Sequence, residues 1–156
     1  MEFLLLKWIH ILSSTLLFGT GLGTAFYKWW GDRSGDVRAQ ATVMRGVVLA
    51  DWLFTTPAVV VQLLTGLWMA LRVGYPLDRG WILWALCLYF LAGACWLPVL
   101  WLQLRMRDMA VTAAQGNQPL PVRYWRYQRI WFALGVPAFS GLVVVFWLMV
   151  FKPSGL

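Results

Sequence analysis

The run FLLLKWIHILSSTLLFGTGLGTAFY, residues 3–27, decides the fold of this chain of 156 residues. Its length and apolar character predict a transmembrane helix, because about 20 apolar residues cross the hydrocarbon core of a bilayer. Three similar runs follow at about 47–71, 81–104 and 130–151. Hydrophobic residues form 61% of the sequence and charged residues only 12%. A soluble domain of this size could not cover so much apolar surface, which indicates an integral membrane protein.

The order and spacing of the four runs predict their arrangement. Polar segments at 30–46, 72–80 and 105–129 are expected to connect them. Short connections favour an antiparallel arrangement of successive helices. We therefore predict an all-α fold, a four-helix antiparallel transmembrane bundle. The whole chain, residues 1–156, is expected to form a single integral membrane domain. The first run is expected to be a retained helix, because no convincing cleavage site of small residues follows it.

Lysine and arginine are distributed unequally between the two ends of the predicted bundle. One end carries nine of the 13 basic residues: Lys28, Arg33, Arg38, Arg45, Arg105, Arg107, Arg123, Arg126 and Arg129. The other end carries Lys7, Arg72, Arg79 and Lys152. By the positive-inside rule the richer end faces the cytoplasm, which places both termini outside. This is the pattern of a multi-pass protein of the bacterial inner (plasma) membrane.

The same distribution predicts the partners of the protein. The net charge of +7 is explained by membrane orientation, so nucleic acid is not expected as a partner. Arg123, Arg126 and Arg129 alternate with aromatic residues just before the fourth run, which suits contact with anionic lipid headgroups. The other expected partners are the bilayer itself and either a second copy of the chain or a larger membrane complex.

Small and polar residues mark the faces of the first two helices that are expected to point inward. They recur at spacings of three and four, and lipid favours apolar faces. His10, the only histidine, lies on the first of these faces, roughly 10 Å below the first residue of its helix. The predicted inner cluster consists of His10, Ser14, Gln62, Thr65 and Tyr89.

His10 is the main candidate for a functional side chain. A titratable group inside a membrane is a functional candidate by default, and neutral imidazole is a common ligand of haem iron and metals. His10 is therefore predicted to bind a cofactor or metal, with Ser14, Gln62 and Thr65 around the cofactor. The alternative is a structural hydrogen bond to Ser14 or to a carbonyl. The histidine count excludes a bis-histidine haem site in one chain, so haem b would need a second protomer or another ligand such as Met.

Other features of the later helices each have two interpretations. Asp51 suits either a proton path or an ion pair with Arg45 or another base of the first connection. Gln62 suits an amide that bridges two helices. One proline in each later helix predicts a cavity or hinge in the inner half, unless these are ordinary prolines of membrane helices. They are Pro57, Pro98 and Pro137.

No motif specifies a reaction, so whether the protein is an enzyme stays open. The sequence has no CxxC, no histidine pair, no P-loop and no G-x-S-x-G. Three hypotheses remain. The first is haem b binding or a redox role through His10. The second is a non-enzymatic structural or assembly subunit of a membrane complex, and the third is transport of a metal ion or small solute.

The first helix also carries a resemblance to known proteins. Lys7-x-x-His10-Ile11, followed by an apolar stretch and Phe18-Gly19-Thr20-Gly21, resembles predicted bacterial integral membrane proteins of unknown function. These are grouped in the superfamily of copper-resistance CopD and HemJ-type protoporphyrinogen oxidase. The similarity covers most of the chain as a four-helix plan, with the specific motif confined to the first helix. It implies that a histidine near the outer start of this helix is associated with haem, and only His10 carries that role over.

Overall fold

The computed structural model describes residues 1–153, and these are helical apart from short connections. Within them no strand occurs, and four segments are long and apolar enough to cross a membrane. The segments are α1 (Glu2–Arg33), Val37–Val73, α4 (Gly80–Gln115) and α5 (Val122–Phe151). The second consists of α2 (Val37–Ala50), a π-helical turn (Asp51–Thr55) and α3 (Thr56–Val73). The prediction of an all-α fold with four transmembrane helices is confirmed.

The helices extend beyond the apolar runs at one end of the bundle. The first continues to Arg33, the third continues to Gln115, and the fourth begins at Val122. Much of the polar sequence at 30–46 and 105–129 is therefore helical and does not form the expected loops. The reason is that apolar run length marks only the part of a helix inside the hydrocarbon core. Beyond it, residues such as Ala, Met, Arg and Gln keep the backbone helical without being apolar enough for lipid.

Pro57 explains the π-helical turn in the second span. A proline inside an α-helix lacks the N–H group, and its ring clashes with the carbonyl four residues earlier. Here the Thr56 N–H donates to the Asp51 carbonyl, which widens the turn by one residue. The Thr56 hydroxyl donates to the same carbonyl at 2.9 Å. The span thus passes Pro57 without ending, and such turns are frequent at functional sites.

The first and last parts of the described chain, residues 1–153, lie at the same end of the bundle. Glu2 forms a salt bridge with Arg72 at the end of α3, with 3.7 Å between the charged atoms. Near the other terminus, Lys152 Nζ lies 5.9 Å from the ring centre of Trp81, which begins α4. Successive spans therefore run antiparallel, as predicted. That this end faces the outside stays a prediction.

The two ends of the bundle are packed differently. Away from the termini, α2 packs on α4 and α4 packs on α5, around the fully buried side chains of Met44, Met106 and Tyr124. Towards the termini, α1 pairs with α3, while α4 pairs with α5 around Val145 and Leu148. These two helix pairs separate from each other, because α3 has no extensive contact with α4. The separation leaves a space inside the bundle.

Large apolar side chains cover the outer surface of every span. Trp8, Leu64, Leu97 and Val150 are each more than half exposed, and each lies on a different span. Exposed apolar surface on this scale would be unfavourable in water, whereas lipid covers it without cost. The protein is therefore embedded in a lipid bilayer.

Candidate functional site: a histidine network and an interhelical cavity

His10 of α1 is bonded to α3 through both of its ring nitrogens. Nδ1 lies 2.8 Å from Thr65 Oγ1, and Nε2 lies 2.9 Å from Gln62 Nε2. One turn further along α1, the Ser13 hydroxyl donates to Gln62 Oε1 at 2.6 Å. All four side chains are buried, so this His10 network ties α1 to α3 with polar bonds that lipid cannot replace.

The hydrogen bonds of the His10 network fix the protonation state of the ring. An amide nitrogen can only donate, so the Gln62 amide makes Nε2 of His10 the acceptor. Nδ1 then carries the proton of a neutral imidazole and donates to Thr65. The Thr65 hydroxyl passes its own hydrogen to the Val61 carbonyl at 2.6 Å. This tautomer is inferred from the bonding pattern. Ligation of iron or another metal by His10 would require one of these bonds to break.

Three of the four residues predicted to form the site meet in this network, namely His10, Gln62 and Thr65. Ser14 does not join them, because its hydroxyl donates to the Ile11 carbonyl at 2.7 Å. Ser13 takes its place. Neighbouring residues differ by about 100° in direction around a helix. The rotation of α1 about its own axis therefore determines whether Ser13 or Ser14 faces α3. Tyr89 also lies elsewhere, and its hydroxyl donates to the Val59 carbonyl at 2.5 Å.

Gly66 permits the close approach of α3 to the His10 ring. A Cβ atom at Gly66 would lie 3.0 Å from His10 Cε1, which is closer than a van der Waals contact. The absence of a side chain at this position therefore lets the ring reach both Gln62 and Thr65. Within residues 1–153, no group of three or more His, Cys, Asp and Glu side chains is arranged to hold a metal ion.

A cavity of about 340 Å³ lies where the two helix pairs separate, and all four spans contribute to its wall. The wall is mostly apolar and rich in aromatic rings, namely Tyr89, Trp96, Trp131, Phe132 and Phe139. The neighbours of Pro98 and Pro137 on α4 and α5 line it, which is where the prolines predict a cavity. His10 does not line it. The cavity and the His10 network are therefore separate features.

Asp51, in the π-helical turn, provides the acidic group of the cavity wall. Its side chain is buried, and its Oδ1 accepts a hydrogen bond from the Thr55 hydroxyl at 2.7 Å. Gln103 of α4 lines the same cavity. Within residues 1–153 Asp51 forms no salt bridge, and no Lys, Arg or His lines the cavity. The expected ion pair between Asp51 and Arg45 is therefore wrong.

Two donors in the cavity wall lack acceptors. The indole N–H groups of Trp96 and Trp131 are buried and have no hydrogen-bond partner within the part of the chain that the structure describes. An unpaired buried donor costs about 1–3 kcal/mol, so such groups are rare in native proteins. Both nitrogens are enclosed by the packing of the wall, so these unpaired donors are not available to a molecule in the cavity.

A buried ion pair lies beyond the cavity, towards the end of the bundle that carries most of the basic residues. Lys28 Nζ is 2.6 Å from Asp32 Oδ2, and the Tyr124 hydroxyl donates to Asp32 Oδ1 at 2.6 Å. Lys28 and Tyr124 have no exposure, and the Lys28 nitrogen lies 5.5 Å from the ring centre of Trp131. Gln40 of α2 donates to the Asp32 carbonyl at 3.1 Å. This Lys28–Asp32–Tyr124 triad joins α1 to α5, and its charges satisfy each other.

Sequence reasoning missed this triad because Lys28 and Asp32 lie past the first apolar run. The available signal was their spacing of four, which places opposite charges next to each other on a helix. Nothing in the sequence indicates that Tyr124 would complete the group.

Together these features define a multi-pass α-helical membrane protein in which the His10 network joins α1 to α3 and a cavity lies between the helix pairs. Residues 4–153 match the family "Predicted integral membrane protein (DUF2269)", and the chain belongs to this family. No curated protein and no solved structure matches the chain.

Proposed function

We propose that the protein lies in the bacterial inner membrane and binds a lipid-soluble small molecule in the cavity between its helix pairs. The observation that carries this proposal is the cavity of about 340 Å³ with an apolar wall and a few polar groups. Ligand sites have this composition, because apolar surface supplies affinity and a few polar groups fix orientation. The volume is near the lower end of the usual range of about 300–1,000 Å³, which suits a molecule of one or two rings.

The seam between α1 and α5 supports entry of such a molecule from the bilayer. These helices have little backbone contact with each other. Aromatic side chains fill the seam instead, with the ring centre of Phe18 lying 4.6 Å from that of Phe139 and 5.6 Å from that of Phe146. Side chains change rotamer far more readily than helices move. A ligand dissolved in lipid would reach the cavity by rotation of Phe18 and Phe139.

Saturable binding of a neutral naphthalene probe tests this proposal. The probe is titrated into nanodiscs that contain the protein and into empty nanodiscs, which measure its partition into lipid. Gly135→Leu fills the cavity, because Gly135 lines it and a Cβ atom there meets nothing within 4 Å. Gly23→Leu is the matched control, since Gly23 is equally unobstructed but lies outside the cavity wall. Gly135→Leu is expected to weaken binding at least tenfold, and Gly23→Leu is expected to leave it unchanged.

Two results would contradict the proposal. One is uptake of the probe that never exceeds that of empty nanodiscs. The other is saturable binding that is equally strong in the Gly135→Leu variant, because the bound probe would then lie outside the cavity.

Ligation of haem b by His10, with membership of the CopD and HemJ-type superfamily, stays a prediction. The motif around His10 supports it. To free a ring nitrogen for iron, either the hydrogen bond from Gln62 or the one that His10 donates to Thr65 must break. A Soret band that is lost in His10→Ala would support it. Purified protein without haem after haem-supplemented expression would count against it. Because His10 is not in the cavity wall, the two proposals can fail independently. A subunit role in a larger complex stays a prediction that copurification tests.

A further inference from the structure

Asp51 is a buried acid that has no cationic partner within residues 1–153. The residue has 4% of its surface exposed and lies in the cavity wall. The group bonded to its carboxylate is the Thr55 hydroxyl, which is neutral. The buried Lys28, which does not line the cavity, is paired with Asp32.

The position of Asp51 in the cavity wall favours a role in binding over a structural role. Acidic groups inside a membrane are costly, and they are usually paired with a positive charge or face a pathway for a charged substrate. Asp51 is not paired within residues 1–153, and it faces a cavity large enough for a small molecule. The missing positive charge is therefore expected on the ligand.

The remaining wall of the cavity also suits a cation. Aromatic rings attract positive charge through the negative potential of their faces, most strongly for Trp, and this attraction grows where water is excluded. Trp96, Trp131 and Tyr89 line the same cavity as Asp51. No Lys, Arg or His of residues 1–153 lines it, so no like charge in the wall opposes a cation.

We propose that the cavity binds a lipophilic organic cation, with Asp51 as its counter-ion and the aromatic wall around its apolar part. This inference rests on the proposed function, since it names the chemical class of the molecule that the cavity holds. The π-helical turn contributes directly, because it contains both Asp51, which lies in the wall, and Thr55, whose hydroxyl donates to the Asp51 carboxylate.

Two ligands of the same shape distinguish the contribution of charge to binding from the contribution of shape. Benzyltrimethylammonium carries a permanent positive charge, and neopentylbenzene is its neutral isostere, with carbon in place of nitrogen. Each is used to displace the neutral naphthalene probe from the protein in nanodiscs. The cation is expected to bind at least tenfold more tightly than the isostere. Asp51→Asn, which keeps the shape of the side chain, is expected to reduce that preference to less than twofold while the isostere binds as before.

Asp108→Asn is the matched control, because it removes one acidic group that is exposed and outside the cavity. The preference for the cation should persist in this variant. Equal affinity of the unaltered protein for the two ligands would overturn the inference, and so would a preference that survives Asp51→Asn. In both cases the probe still binds, so the proposed function stands. If the probe itself fails to bind the cavity, both proposals fail together.

Discussion

Removal of Asp32 should destabilise the protein strongly, because it leaves a positive charge buried without a partner. Lys28 has no exposure, and the carboxylate of Asp32 lies 2.6 Å from its nitrogen. Loss of one partner of a buried ion pair costs about 3–5 kcal/mol. Asp32→Ala also removes the acceptor of the Tyr124 hydroxyl. We expect a loss of about 3–5 kcal/mol in the free energy of unfolding.

A double-mutant cycle shows whether the buried charge causes this loss. Lys28→Met with Asp32→Ala removes both charges, so the double variant should be more stable than Asp32→Ala alone. Unfolding is followed by circular dichroism as the mole fraction of SDS rises in mixed micelles. Asp108→Ala is the control, because its pair with Arg107 is partly exposed and is worth about 1 kcal/mol or less. A loss below about 1 kcal/mol for Asp32→Ala, or purely additive effects in the cycle, would refute the reasoning.

The His10 network gives further predictions for the same unfolding measurement. Ser13→Ala should cost about 1–2 kcal/mol and Ser14→Ala about 0.5 kcal/mol or less, because Ser13 bonds across helices whereas Ser14 bonds within its own; equal losses would contradict this assignment. Gly66→Ala should cost about 1–3 kcal/mol through collision with the His10 ring, whereas Gly23→Ala should not destabilise. The cost of Gly66→Ala should largely disappear when combined with His10→Ala, and an undiminished cost would show that another contact is responsible.

Much of the architecture follows from the sequence because membranes impose simple rules. Each span needs about 20 apolar residues, and four such runs are visible. Polar residues avoid lipid, so their spacing on the first two helices predicts which faces meet. The meeting of His10 with Gln62 and Thr65 confirms that part of the reasoning.

The predictions that were wrong or missing concern the rotation of helices about their axes and contacts between residues far apart in the sequence. Periodicity locates a helix face only to within about one residue, so it selected Ser14 where Ser13 makes the bond. High hydropathy marks only the part of a helix inside the hydrocarbon core. It therefore does not show that Lys28 and Asp32, beyond that part, are still in the first helix. The surroundings of Asp51 are not visible in the sequence either, because residues of all four spans, far apart along the chain, form the cavity wall in which it lies.

The most direct test of the cavity as a ligand site is native mass spectrometry of protein ejected from its own membranes. The unaltered protein and the Gly23→Leu variant are expected to carry the additional mass of one small lipid-soluble molecule. The Gly135→Leu variant, in which a side chain occupies the cavity, is expected to lack it. The account would be contradicted if all three proteins carried the same bound mass, or if the unaltered protein carried none.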